Sequence, residues 1–189
     1  MPEPDVTRRE FVHGLTGAAA GAWMAAHLPE LRAVAAYAAT VEPTAPWEYF
    51  TPEQAREFDA VSAQIVPTDD TPGAREAHVV RFADHAFATI FKALDPPFRD
   101  DFKTLADAVE ARTPGQRSFA ALSDADQIAF LVAYDKTHPA SFARFRGTTM
   151  TGLLTHPEHG GNFNKVGWKL IGFDDRYAWT PPFGYYDRA

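Results

Sequence analysis

A few places in this 189-residue chain hold side chains whose type and spacing could do chemistry. His156, Glu158 and His159 set two imidazoles and a carboxylate within four positions, the ingredients of an acid–base or ligand cluster. Asp69-Asp70 is a carboxylate pair. Glu10–His13 is a Glu-x-x-His, and Asp135–His138 is its nearest relative in the body of the chain. A di-iron bundle needs that motif twice, with further inward carboxylates. Here Glu10–His13 falls in an export signal, and Asp135–His138 ends a helix with no second pair, so no metal ligand is assigned. Flanked by Pro157 and Gly160, the histidine loop makes local hydrogen bonds in its simplest reading. Asp69-Asp70, just ahead of Thr71-Pro72-Gly73, is first of all an anion at a helix start. Arg75, one turn into that helix, is read as the partner of a local carboxylate.

Other chemistries lack their residues. No G-x-G-x-x-G follows a strand, and there is no Walker loop and no G-x-S-x-G elbow. The absence of cysteine removes c-type haem attachment, iron–sulfur clusters, thiolate zinc sites, a cysteine nucleophile and disulfides. With 18 Lys+Arg against 25 Asp+Glu, the net charge of −7 leaves no basic stripe to neutralise phosphates, which argues against nucleic acid. No catalytic, cofactor-binding or metal residue is therefore assigned. At 46% hydrophobic and 13% aromatic, the chain buries a core as one domain with extensions.

The elements that must position these residues are helices. Thr51-Pro52-Glu53-Gln54 is a helix start with a capping box, and Phe58, Val61 and Ile65 form its core stripe up to Pro67. A second helix is predicted from about Ala74 to Leu94, stopped by Asp95-Pro96-Pro97. A third runs from about Phe98 to Arg112. Ser123-Asp124 opens a fourth, with Ile128, Leu131 and Val132 inward, and a fifth after Pro139 carries Phe142, Phe145 and Leu153. The fold class is all-α: a compact bundle of about five helices. The segment His156–Phe173 is predicted as non-helical, because His156-Pro157, Gly160-Gly161, Asn162, Asn164 and Gly167 are turn formers around the large Trp168. It either lids the core through Trp168 or presents a surface to another protein. The tail Tyr177–Ala189, with Trp179 and Pro181-Pro182, packs back on the bundle or lies on a partner.

Residues 1–38 are read as a signal. Thr7-Arg8-Arg9-Glu10-Phe11-Val12-His13 resembles the twin-arginine pattern, with Val12 for leucine and His13 for lysine. A short Ala/Gly-rich apolar segment, Gly14–Leu28, and the small-residue site Ala36-Tyr37-Ala38 follow. Residues 39–189 then form the helical domain, entered through a Pro-rich arm, Thr40–Trp47.

Two loops carry a family resemblance. Pro67-Thr68-Asp69-Asp70-Thr71-Pro72-Gly73-Ala74-Arg75 and Gly160-Gly161-Asn162 with Gly167-Trp168-Lys169-Leu170-Ile171-Gly172-Phe173 resemble the signatures of the gluconate 2-dehydrogenase subunit 3 family. The resemblance covers nearly the whole span from Arg8 to Phe173. It implies the small (γ) subunit of a membrane-associated sugar or sugar-acid dehydrogenase. In such complexes a large GMC-type flavoprotein holds FAD and oxidises an alcohol, and a multihaem cytochrome c passes the electrons on. The small subunit binds no cofactor itself. It carries the export signal that the large one lacks, and is needed for its maturation. Arg8, Arg9 and Phe11 would then address the Tat translocase, with the periplasm as destination. Asp69, Asp70, Pro72, Gly73, Arg75, Gly160, Gly161, Asn162, Gly167, Trp168 and Trp179 would shape the surfaces that dock the flavoprotein. The alternative is an independent exported helical enzyme or ligand-binding protein using His156, Glu158 and His159.

Overall fold

A computed structural model describes residues 45–176; Arg8, Arg9, Phe11 and Trp179 lie outside them. Among the described residues the fold is all-α, with six helices and no strand. They are α1 (Pro52–Ile65), α2 (Val79–Ala88), α3 (Asp95–Arg112), α4 (Asp124–Thr137), α5 (Pro139–Leu154) and α6 (Val166–Ile171). Central in the packing is α5, which touches the other five. Phe145 on it is fully buried, with ring centroids 5.5 Å from those of Phe98 and Phe102 and 6.2 Å from that of Phe58. Edge-to-face rings of this kind add directional preference to a large buried area.

The expected start of α1 is present in full. Thr51 Oγ1 accepts from the Gln54 N–H, and the Gln54 side chain accepts from the Thr51 N–H. Elsewhere the structure corrects the expected boundaries. The second helix begins at Val79 rather than Ala74, because the intervening turn closes irregularly, His78 N–H on the Arg75 carbonyl and Val79 N–H on that of Ala74, and His78 takes a left-handed φ of 55° that a helix cannot run through. Asp69-Asp70 therefore does not sit at a helix start. Asp69 instead accepts from the Thr71 N–H and hydroxyl inside its own turn. Asp95-Pro96-Pro97 opens α3 as well as ending what precedes it, since proline in a first turn gives up only an N–H that has no helical partner.

On α4, Ile128 and Val132 point outward, against expectation. Gln127 turns inward in their place, donating to the Phe119 and Leu122 carbonyls and accepting from Gln64. A polar side chain whose hydrogen bonds are met can occupy the core side of a helix that is apolar on both faces. The segment expected to be non-helical contains two 3-10 turns and the short helix α6.

The arm is strapped down by a residue that carries no sequence signature. Asp84, 3% exposed on α2, accepts from the backbone N–H groups of Glu48, Tyr49 and Phe50. Arg81 lies 3.7 Å over the Trp47 ring and donates to the Ala45 carbonyl. Burial, and then its donation to Asp95, pushes the Tyr49 phenol above the usual range.

Candidate docking surface

The two signature loops, about ninety positions apart in sequence, form one face. Phe163 N–H donates to the Ala77 carbonyl at 3.1 Å, and the rings of His78 and Phe163 stack at 4.3 Å with 7° between planes. Between the loops runs an open groove of about 520 Å³. Thr71, Pro72, Glu76 and His78 line one wall, and Phe163, Val166, Lys169 and Leu170 are on the other. Phe163 is 47% exposed there, as are Ile171 and Phe173 nearby. Burial, and then the charge of Arg81, lowers the pKa of His78, so the groove presents a neutral imidazole at neutral pH. Glu76 is held below the usual carboxylate range, first by the Thr68 hydroxyl and also by the Gly73 N–H, and stays charged. Lys169 adds a cation to a lining that also holds the apolar Pro72, Phe163, Val166 and Leu170.

A framework beneath the face holds it in shape. Asn162, wholly buried with φ 47°, donates to the Thr155 carbonyl and accepts from the N–H groups of Gly167 and Trp168. It thereby closes the loop and caps α6 with one side chain. Gly161 and Gly167 let backbone lie directly on α5. A Cβ would come within 2.2 Å of the Gly152 carbonyl oxygen at Gly161, and within 1.9 Å of the Leu153 carbonyl oxygen at Gly167. Trp168, half-buried, donates its indole N–H to the Leu154 carbonyl at 2.9 Å and meets His156 and Phe173 edge-on. It lids the end of α5.

The predicted docking residues therefore divide. Asp69, Asp70, Pro72 and Arg75 are exposed, with Arg75 paired to Asp59 at 2.8 Å. Gly73, Gly161, Asn162 and Gly167 are buried and shape the face from below, and Gly160 takes the left-handed turn that ends a 3-10 segment. His156 and Glu158 form an exposed pair at 3.2 Å, whereas His159 is buried with its ring centroid 6.0 Å from that of His156. Among the described residues no group of three His, Asp or Glu could hold a metal ion, and no helix is long and apolar enough to cross a membrane.

A family model described as gluconate 2-dehydrogenase subunit 3 matches residues 52–175. The chain belongs to that family. No curated protein and no solved structure matches it. The span matched to gluconate 2-dehydrogenase subunit 3 runs from α1 to just past α6, and so contains both loops and the framework under them.

What sequence reasoning missed is a set of carboxylates that tie distant parts of the chain together. Asp84 holds the arm. Glu57 accepts from Ser118 and from the N–H groups of Phe119 and Ala120. Asp101, 2% exposed, takes a bidentate pair from Arg144 at 2.6 Å. Each sits on a helix, and its partners lie far away in sequence.

Proposed function

We propose that this chain is the small, non-catalytic subunit of a membrane-associated FAD-dependent sugar, sugar-acid or polyol dehydrogenase, and that the two-loop face docks the GMC-type flavoprotein. The observation that carries this reading is the convergence of both family signatures on one groove, above buried residues that do nothing but hold its shape. A face so built supports recognition: exposed aromatics on a rigid base bind with little loss of conformational entropy.

In this reading the subunit works by mass action. It binds the native flavoprotein and not the unfolded one, which shifts that partner toward its folded state. Residues 1–38, through Arg8, Arg9 and Phe11, then take the pair to the Tat translocase and the periplasm. FAD stays on the flavoprotein, haem c on a cytochrome subunit that receives the electrons, and this chain supplies no cofactor ligand.

Co-expression with the flavoprotein, followed by purification through a tag on this chain and a visible spectrum, tests it. A yellow, stoichiometric complex with dye-linked dehydrogenase activity is expected. A colourless lone protein overturns it. Within a complex, Phe163→Ala is expected to weaken binding by about 2 kcal/mol, roughly thirtyfold, while leaving the fold intact.

A further inference from the structure

Past Arg176 the sequence runs Tyr177-Ala178-Trp179-Thr180-Pro181-Pro182-Phe183-Gly184-Tyr185-Tyr186 before its next charges, Asp187 and Arg188. Ten uncharged residues, five of them aromatic, suit an apolar wall better than water.

The point from which this segment departs is fixed. Lys165 Nζ donates to Asp175 at 2.7 Å, and the Phe173 N–H donates to the Trp168 carbonyl. Lys165 stands between Asn164 and Val166, which both line the groove, so the segment starts at the groove's edge. Pro181 is six positions beyond Asp175, a reach of about 20 Å when extended. Phe163, whose ring stacks on His78, is only two positions from Lys165, so the proline pair reaches the stacked rings with chain to spare. Proline-rich segments dock on grooves lined by such rings, because prolines have little conformational freedom to lose there. The charges of the lining, Glu76 and Lys169, are opposite in sign, and an uncharged occupant sets neither against a like charge. We infer that residues 177–186 of this same chain occupy the groove in the free subunit.

The tether makes a weak contact sufficient, since it supplies an effective concentration on the order of millimolar. The consequence rests on the proposed docking. A flavoprotein that binds the same groove must displace the segment, and its apparent affinity falls with the fraction of chains whose groove is open.

Maleimide labelling of Lys169→Cys, in a full chain with no other cysteine, tests the occupancy with no partner present. The thiol should react about three- to tenfold faster when Trp179→Ala and Phe183→Ala are added, at every protein concentration. Neither aromatic belongs to the described core, and circular dichroism checks that the fold is kept. Equal rates overturn the proposal. So does a thiol shielded only at high concentration, which identifies a second copy, and so does shielding that the tail substitutions leave in place, which identifies another segment. With Lys169 restored, the doubly substituted chain should bind the flavoprotein about three- to tenfold more tightly. Weaker binding makes the tail itself a partner contact and overturns the competition. A flavoprotein that binds neither chain overturns the docking reading alone, while the labelling still decides the occupancy.

Discussion

Around Phe145, four phenylalanine rings on three helices hold one another by area and angle, and no single atom decides the arrangement. At the two-loop face the reverse is true. One amide, one indole N–H and glycines without room for a methyl hold residues 155–173 against α5. The core therefore tolerates changes of shape that keep volume, and the face tolerates almost none beneath its surface. The exposed side chains of the face can change without disturbing that framework. A docking surface benefits from that division, since recognition needs a fixed backbone more than fixed stability.

The comparison can be broken by experiment. Phe145→Ala should cost about 3–5 kcal/mol in denaturant unfolding, the usual cost of removing a buried ring, whereas Phe145→Leu should cost less than half as much. Gly167→Ala adds one methyl and should cost about 3 kcal/mol, because the clash at 1.9 Å is with backbone that cannot turn aside. A loss under about 1 kcal/mol would mean that α6 slides freely on α5. Asn162→Ala strands the Thr155 carbonyl and the Gly167 N–H, and about 2–3 kcal/mol should disappear together with the hydrogen-exchange protection of the Gly167 amide.

Smaller effects separate the two regions further. Burial lowers the pKa of His78 and His159 from the usual 6.5, against a raising contribution from Glu158 at His159. Below 6.5 the unfolded chain takes up these protons before the folded one. Their contribution to stability is therefore complete above about pH 6.5 and is lost as pH falls toward the folded-state values. Melting temperatures between pH 8 and 5 should fall on the acid side, and less steeply in His159→Leu. Arg75→Ala removes a largely exposed ion pair with Asp59 and should change stability by no more than about 0.5 kcal/mol.

Much of this was legible in the residues. The capping box at Thr51 and Gln54 depends on residues three positions apart, and the phenylalanine stripes on residues three or four apart. Local chemistry of that kind survives any tertiary context. The groove was half legible: each loop stood out by its turn formers and by its likeness to a family signature, yet nothing in either said that they touch. Asp84, Glu57 and Asp101 were illegible, since an acid that will accept from distant backbone or side-chain donors looks the same in sequence as one in solvent. Ile128 and Val132 misled because α4 is apolar on both sides, and periodicity cannot then choose a face.

By itself the sequence determined the helical class, the capped start of α1, the glycines and the absence of thiol chemistry, because these follow from local sterics and residue type. Only the tertiary structure decided that His78 meets Phe163, that Asn162 rather than an acid clamps the loop, and that Gln127 takes the inner face of α4. Those outcomes depend on which distant backbone groups arrive unpaired at the same place, and a buried donor or acceptor must find its partner wherever the packing puts one.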